Sequence, residues 1–172
     1  IEKLQNGEIK LNDKIVSSFN FHLNSDKRQI GYVFQDCALF PHLTVMENIS
    51  FGIKTNHIEK SSKKIQNLMD EIDISNLANN YPHELSGGQQ QQVALVRAMA
   101  SDPKIIFLDE PYSNLDSRLK EKIRDQMLHI LREHKISALL VTHDPQEAMF
   151  MSDKIGILNK GYIEQFGSPI DL

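Results

Sequence analysis

Two adjacent carboxylates, Asp109 and Glu110, directly follow the wholly apolar run Ile105–Leu108. A run of this kind is typical of a strand buried on both faces, as in parallel sheets, and ligands bind at the carboxyl ends of such strands. Two carboxylates there would repel each other unless a positive group joined them. A magnesium-bound polyphosphate could supply that charge, with Asp109 holding the metal through water and Glu110 polarising an attacking water. A plain acidic turn after the strand is the alternative.

A glycine pair lies in a second polar segment, Leu85-Ser86-Gly87-Gly88-Gln89. Ser86 and Gln89 are three residues apart, which is the spacing of a capping box at a helix start. A cap needs no glycines, and glycine inside a helix costs up to about 1 kcal/mol relative to alanine. The pair therefore indicates that a phosphate, or another part of the backbone, comes close to the N–H groups at the positive end of the helix. A flexible cap without a ligand is the alternative.

Three further polar residues are weaker signals when each is taken alone. His143 closely follows the apolar run Ala138–Val141 and could donate a hydrogen bond to a terminal phosphate. Gln35 follows a β-rich segment and could reach a metal ion or a water molecule. Asp116 could belong to the same site, or could merely cap the helix that follows it. A structural role for each of the three stays open at this point.

The hydrophobic pattern places these residues in an α/β fold. Apolar runs and alternation predict strands within 7–16, with a turn at Asn12-Asp13, and at 29–35, 105–108, 138–141, 155–158 and 162–165. Helical spacing and capping signals predict helices that start at Thr44 and that span 61–72, 86–100, 117–133 and 145–151. Alternation of buried strands with helices after residue 105 predicts a parallel sheet. The segment 36–85 shows no buried-strand pattern, which predicts a helical insertion.

The composition is that of an ordinary globular domain. The chain has 172 residues, of which 40% are hydrophobic and 24% charged, and its net charge of -4 gives no basic footprint for nucleic acid. The single Cys37 excludes an intramolecular disulfide within this sequence and suits a reducing compartment. No apolar run approaches the ~20 residues that a membrane-spanning helix needs.

Jointly, and in this order, the segments resemble the nucleotide-binding subunit of ATP-binding-cassette (ABC) transporters over essentially all 172 residues. The matches are Gln35 with the Q-loop glutamine, Leu85–Gln89 with the signature motif, Ile105–Glu110 with the Walker B strand, Ser113–Asp116 with the D-loop, and His143 with the switch histidine. The resemblance implies a P-loop NTPase (RecA-like) parallel-sheet core. Residues 1–172 would form a partial nucleotide-binding domain, and 36–85 its helical subdomain.

The resemblance also implies an enzyme that hydrolyses ATP with Mg²⁺. Two such subunits would pair head to tail, so that the signature residues of one act on the nucleotide of the other; these residues are Ser86, Gly87, Gly88 and Gln89. Glu110 would be the general base, and His143 would contact the γ-phosphate. Asp109 and Gln35 would serve magnesium and water. Asp116 would help to couple the two sites. Catalysis would rest mainly on positioning and charge neutralisation.

Two departures from the family pattern affect these expectations. No G-x-x-x-x-G-K-[ST] phosphate loop occurs in the sequence. In the family this Walker A loop, with an aromatic residue that stacks on adenine, lies just upstream of the stretch that matches residues 1–16, so both would precede Ile1. We therefore expect a fragment that alone binds ATP poorly and does not hydrolyse it at a useful rate. In addition, Gln92 replaces the basic residue usual at that point of the signature helix, which is expected to weaken polar contacts beneath the motif without abolishing catalysis.

The segment 36–52, the residues Tyr81–Glu84 and the tail 160–169 resemble importer subunits for ferric iron, polyamines, sulfate, quaternary amines or sugars. The resemblance implies a bacterial importer subunit, peripheral on the cytoplasmic face of the inner membrane. It would bind membrane permease subunits, and through them would act indirectly with a substrate-binding protein. Some apolar residues could form the socket for the permease or could equally be ordinary core of the insertion: Leu39, Phe40, Leu43, Val45 and Met46.

Two other classes of function compete with the importer hypothesis. A soluble ABC ATPase that acts on DNA or the ribosome is disfavoured by the near-balanced charge and by the importer-like segment 36–52. A non-catalytic interaction fragment is disfavoured because Glu110 and His143 are both present. We therefore expect an ATP-hydrolysing transport subunit without a nucleic-acid partner.

Overall fold

A computed structural model describes residues 4–53, 58–113 and 115–172 of the chain. Its strands are β1 (Glu8–Leu11), β2 (Lys14–Ser18), β3 (Phe21–His22), β4 (Ile30–Val33), β5 (Ile105–Asp109), β6 (Ser137–Val141), β7 (Ile155–Asn159) and β8 (Tyr162–Gly167). Its α-helices are α1 (Val45–Ser50), α2 (Ile58–Glu71), α3 (Gly87–Ala100), α4 (Ser117–Glu133) and α5 (Pro145–Met151). Short 3₁₀ turns occur at Ser25–Lys27, Ser75–Leu77 and Pro82–Glu84.

Three strands form a parallel sheet in the order β4-β5-β6. Two antiparallel sheets accompany it, one formed by β1-β2-β3 and the other by the hairpin β7-β8. The β1-β2 turn is at Asn12 and Asp13, whose φ angles are 48° and 62°, as two-residue hairpin turns require. The predicted α/β class and this turn are confirmed.

The predicted helices form, and apolar residues at helical spacing in α2 and α4 are buried. In α2 and the residue after it, Ile65, Leu68, Met69 and Ile72 are all buried. Their spacing of three or four residues places them on one side of a helix. Helix α4 spans 117–133 as predicted, and buries Ile123, Met127, Ile130 and Leu131. Thr44 and Glu47 form the expected capping box at the start of α1.

One hydrophobic core joins the parallel sheet to α1, α2, α3 and α4. Helix α3 and the sheet approach each other closely at Gly31, because a Cβ there would lie 2.9 Å from the carbonyl oxygen of Ala98 in α3. It would also lie 2.8 Å from Cγ1 of Ile106 in the neighbouring strand. Glycine at this position therefore lets α3 lie directly against β4.

Two expectations about strands are wrong. Strand β6 forms as predicted but is not buried, since Leu139 and Val141 are 52% and 54% exposed. It is the edge strand of the parallel sheet, and the described residues leave the face that carries these two side chains open. Strand β7 does not continue the parallel sheet, because within the described chain it pairs with β8 alone.

The described part of the segment 36–85 contains α1, α2 and two 3₁₀ turns and no strand. Its apolar residues belong to the same core as the sheet, so the helices are packed against α3 rather than around a core of their own. That the segment 36–85 forms a helical subdomain distinct from the sheet stays a prediction. None of the described helices combines the length and the apolar character that a membrane-spanning segment requires.

Candidate functional site

The carboxyl ends of β4, β5 and β6 bring together the four residues that the sequence placed after separate strands. We call Gln35, Asp109, Glu110 and His143 the strand-end cluster. The strands are in register, with Val33 opposite Leu108 and Asp109 opposite Val141, so their ends lie at one edge of the sheet. This edge is where open parallel sheets bind ligands.

Glu110 lies between Gln35 and His143. The Gln35 amide donates to one carboxylate oxygen, with Nε2 3.4 Å from Oε2, and Nδ1 of His143 lies 3.1 Å from the other oxygen, Oε1. The His143 side chain is 75% exposed, whereas that of Glu110 is 29% exposed. The carboxylate is therefore partly enclosed, while the imidazole faces open space that a ligand could enter.

The backbone of Glu110 is held in an unusual conformation. Its φ of 43° lies in the left-handed region, which costs a residue with a Cβ about 1–2 kcal/mol. The Glu110 N–H donates to the carbonyl of Val141 at 2.9 Å, and the Ser113 hydroxyl donates to the Glu110 carbonyl at 3.1 Å. Such strain persists where surrounding bonds enforce it, and it is frequent at functional sites.

Tyr32 is a member of the site that the sequence reasoning missed. Its hydroxyl donates to Oδ2 of Asp109 at 3.0 Å. Burial, followed by the hydrogen bond and the charge of Asp109, raises the pKa of Tyr32 above its ordinary value. Strand alternation could have identified it, because Tyr32 is opposite Phe107 in the register and Asp109 points to the same face two residues later.

A polar network fixes the residues on both sides of His143. Lys120 of α4 pairs with Oδ2 of Asp144 at 2.7 Å and with Oε1 of the buried Glu147 at 2.6 Å. Thr142 donates its hydroxyl to Glu147 and accepts from the N–H of Asp144. Hydrogen bonding to Lys120 lowers the pKa of Asp144, and the bonds to Asp144 and Glu147 raise the pKa of Lys120.

A cleft of about 370 Å³ opens beside this network. Its walls include Glu110 and His143 on the sheet side and Lys120 and Arg124 on α4. The cleft thus has a carboxylate and an imidazole on one side and two cationic side chains on the other. This mixture suits a polar ligand better than an apolar one. Sequence reasoning missed Lys120 and Glu147 because they lie on different helices, and the hydrophobic pattern of a helix does not show which residues of another helix it contacts.

The signature residues lie in a different place, at the start of α3. Ser86 and Gln89 form the predicted capping box, with the Ser86 N–H donating to Oε1 of Gln89 at 2.8 Å. Ser86 and Gly87 are exposed, whereas Gly88 is buried. A Cβ on Gly88 would lie 2.9 Å from Cδ2 of Leu119, so this glycine leaves room for a side chain of α4 rather than for another part of the backbone. The approach of a phosphate to the glycine pair stays a prediction.

A second cleft, of about 240 Å³, lies beside the signature residues and shares no lining residue with the first. Gln92 lines it and donates from Nε2 to the carbonyl of Ile72 and to Oε1 of Gln126, both at 3.0 Å. Gln92 therefore makes polar contacts to the end of α2 and to α4, beneath the signature residues. Whether these are weaker than those of a basic residue stays a prediction.

Asp116 begins α4 and caps it, because its Oδ1 accepts from the N–H of Leu119 at 3.0 Å. The structural explanation left open for this residue is therefore present in the fold, and its role in coupling two sites stays a prediction. Asn114, which the D-loop match includes, lies outside the described residues.

The apolar residues of the importer-like segment divide into two groups. Val45 is fully buried, and Leu39 and Met46 pack against the core. Phe40 instead packs against Phe51 with the two rings tilted, their centroids 4.3 Å apart, and Phe51 is 63% exposed. The buried Asn48 side chain bonds to both backbone groups of Phe40, which fixes the loop that carries the Phe40 ring.

Comparison with known proteins agrees with this geometry. The family model described as "ABC transporter" matches residues 1–113. The ferric-ion import ATP-binding protein FbpC 2 of Haemophilus influenzae is 45% identical over 170 residues, which cover 98% of this chain and 48% of that protein. The sulfate/thiosulfate import ATP-binding protein CysA of Mycobacterium bovis is 39% identical, covering 100% of this chain and 48% of the relative. The chain thus spans about half the length of these relatives.

Solved structures show the same fold. The ATP-binding cassette MJ0796, in a dimeric post-hydrolysis state bound to ADP and Pi, superposes with a TM-score of 0.74 at 30% identity, over 98% of this chain and 75% of that one. CbiO1 from Clostridium perfringens, part of the ABC transporter complex cbiONQ, gives a TM-score of 0.83 at 26% identity, over 99% and 69%. On the family match, the related structures and the strand-end geometry, this chain belongs to the ABC transporter family.

Proposed function

We propose that this chain supplies the hydrolytic and signature residues of an ATP-binding subunit that powers import through a bacterial ABC transporter. The observation that carries the proposal is the convergence of Gln35, Asp109, Glu110 and His143 at one edge of the parallel sheet. Residues from three separate strands meet there, which a set of unrelated acidic turns would not require. The importer names of the relatives support the transport role.

Glu110 is the proposed general base. Its carboxylate is partly enclosed and is oriented through both oxygens, by Gln35 on one side and His143 on the other. A carboxylate held in this way can accept a proton from an attacking water, which is the step that a general base performs. The exposed imidazole of His143 is available to donate to a phosphate oxygen.

Asp109 and Gln35 are the residues proposed to serve Mg²⁺. The described part of the chain holds no group of three or more His, Cys, Asp or Glu side chains that could bind a metal alone. Magnesium usually takes one or two carboxylates and completes its shell with phosphate and water oxygens, so a single Asp with a nearby amide fits this mode. When bound, the ion would neutralise charge on the phosphates.

A second copy of the chain is the proposed partner for the signature residues. The cleft that Ser86 lines shares no lining residue with the cleft beside the strand-end cluster, and Ser86 and Gly87 are both exposed. Their exposure leaves them available to a nucleotide bound on another subunit, as the head-to-tail arrangement requires. The dimeric state of the related MJ0796 structure supports this assembly.

The Phe40–Phe51 pair, in which Phe51 is exposed and Phe40 is half-buried, is the proposed contact with a membrane permease subunit. Aromatic side chains are enriched in protein interfaces. The subunit would then lie peripherally on the cytoplasmic face of the inner membrane. Because the relatives import different ions, we assign the choice of cargo to the permease and the substrate-binding protein rather than to this chain.

The test of this function compares the 172-residue chain with a chimera that carries a Walker A segment of the G-x-x-x-x-G-K-[ST] pattern ahead of Ile1. We expect the chain alone to bind ATP weakly and to show no useful hydrolysis. The chimera should hydrolyse ATP with Mg²⁺, and Glu110→Gln in the chimera should lower the rate by about 10³-fold, as expected for loss of a general base.

The matched control is Glu133→Gln, which removes an exposed carboxylate at the end of α4 and should leave the rate unchanged. An unchanged rate in Glu110→Gln would show that Glu110 is not the base. Robust hydrolysis by the 172-residue chain alone would contradict the dependence on Walker A. Stimulation of the chimera by DNA or RNA would favour the soluble branch of the family instead.

A further inference from the structure

The turn that follows Gln35 has a strained backbone. The N–H of Cys37 donates to the carbonyl of Phe34 at 3.0 Å, which closes a turn with Gln35 and Asp36 at its centre. Cys37 and Ala38 have φ angles of 60° and 44°. Two successive residues with a Cβ in the left-handed region are unfavourable, so other contacts must hold them there.

Arg97 of α3 supplies those contacts. Its Nη2 donates to the carbonyl of Cys37 at 2.6 Å, and its Nη1 donates to the carbonyl of Ala38 at 2.7 Å. The guanidinium thus binds the two strained residues with one planar group, a geometry that lysine cannot reproduce. Its carbon Cζ also lies 5.8 Å from the centre of the Phe40 ring.

The surroundings of Arg97 indicate that this is its main role. Burial lowers the pKa of Arg97, and no ion pair with a carboxylate occurs for it within the described residues. A second α3 side chain holds the same turn, since the Cys37 thiol donates to Oε1 of the buried Gln91 at 3.0 Å. Helix α3 therefore binds the turn at two points.

We propose that Arg97 is a positioning residue for Gln35: it holds the Cys37–Ala38 turn and so sets the reach of the Gln35 amide toward Glu110. The 3.4 Å contact between them is long and is sensitive to small shifts. Arg97 lies on α3, the helix that begins with the signature residues. The catalytic meaning of this link rests on the proposed function, but the structural link does not.

Cys37 reports the state of the turn directly, since it is the only cysteine in the sequence. It is buried, and burial raises the pKa of its thiol to about 11, so reaction with a thiol reagent requires the turn to open. The first measurement is the rate of Cys37 labelling by iodoacetamide in the folded 172-residue chain. It needs neither ATP nor hydrolysis.

We expect Arg97→Ala to raise the labelling rate by about tenfold or more, because two charge-assisted hydrogen bonds are lost. Arg97→Lys should give an intermediate rate, since lysine keeps the charge without the paired geometry. The control Arg132→Ala removes an exposed arginine at the end of α4 and should leave the rate unchanged. If Arg97→Ala does not fold, the decision rests on Arg97→Lys. A wild-type labelling rate in a folded Arg97 variant would overturn the proposal.

The second measurement uses the hydrolysing chimera and follows the Mg²⁺ concentration for half-maximal rate. Gln35→Ala should raise this Mg²⁺ concentration, and Arg97→Lys should also raise it, by about threefold or more. The Mg²⁺ concentration for half-maximal rate in the double variant should be no higher than in Gln35→Ala alone. A purely structural role for Arg97 would lower the active fraction without moving this midpoint. Additive effects of the two substitutions would overturn the catalytic part, while the labelling result would stand. Absence of hydrolysis in the wild-type chimera would count against the proposed function and not against the turn.

Discussion

The strand-end cluster and the signature residues are built in opposite ways. Ser86 and Gln89 satisfy each other within one turn of helix, so the start of α3 is organised by contacts three residues apart. The cluster instead joins residues 75 positions apart in the chain, as in the contact of Gln35 with Glu110. It also includes a backbone conformation at Glu110 that only the surrounding structure can enforce.

This difference has a consequence for mutations. The signature residues should tolerate changes elsewhere in the fold, because their bonds are local. The cluster should respond to changes that touch no member of it, since the relative placement of β4, β5, β6 and α3 decides its distances. Helix α3 contacts both regions and packs closely on β4 at Gly31, so we expect a substitution there to have the largest effect.

The largest effect is expected from Gly31→Ala. The new methyl group would meet the Ala98 carbonyl oxygen and the Ile106 side chain below 3.0 Å, and the backbone oxygen cannot move independently of α3. We expect a loss of about 3 kcal/mol in the free energy of unfolding, measured by urea denaturation. Gly52→Ala is the control, because nothing lies within 4 Å of its added Cβ. Equal stability of the two variants would show that α3 and β4 are not in close contact.

Lys120→Met tests the network that flanks His143. It leaves the buried Glu147 carboxylate without its cation, and we expect a loss of about 2 kcal/mol in the free energy of unfolding, moderated by the partial exposure of Lys120. Adding Glu147→Gln to Lys120→Met should restore much of the lost free energy of unfolding. A double variant that is less stable than Lys120→Met would contradict a charge-based cause.

The ion pair of Lys120 with Asp144 predicts how the loss of stability in Lys120→Met depends on pH. The pKa of Asp144 is lowered from 3.8, so its contribution to stability is present above that value and is lost as the pH falls through the lowered pKa. The pKa of Lys120 is raised from 10.5, so its contribution is present below that value and is lost as the pH rises through the raised pKa. The stability difference between wild type and Lys120→Met should therefore be largest between these limits. A difference that stays constant below pH 3.8 would contradict this pairing.

A smaller effect is expected from Gly88→Ala at the signature residues. The added methyl group would press on Leu119, whose flexible and partly exposed side chain can give way, so we expect a loss of about 1 kcal/mol by urea denaturation. The loss should shrink further in a Leu119→Ala background, where the obstructing atoms are absent. An undiminished loss there would point to a cause other than this contact.

The smallest effect concerns Tyr32 and Asp109. Asp109→Asn removes the carboxylate that helps to hold the Tyr32 proton, so the pKa of Tyr32 should fall toward 10.0. Absorbance of the tyrosinate during an alkaline titration measures it, with Tyr32→Phe subtracted to remove the other three tyrosines. An unchanged titration would show that Asp109 and Tyr32 do not interact.

Local patterns predicted much of the fold because they depend on neighbours in the chain. The bounds of α4, the capping boxes at Thr44 and Ser86 and the turn at Asn12-Asp13 all follow from spacings of a few residues. The exposure of β6 could not be predicted in this way. An apolar run shows that a strand can be buried, whereas exposure of Leu139 depends on whether another layer covers that face.

The sequence by itself determined which residues could do chemistry, because residue type and position at a strand end or helix start are local properties. It also determined the family, since five such segments occur in one order. Only the tertiary structure decided that Tyr32 bonds to Asp109, that Lys120 supports the residues beside His143, and that Arg97 holds the turn after Gln35. Each of these contacts joins elements far apart in the chain. Their geometry comes from the packing of helices on a sheet, and no short-range pattern encodes it.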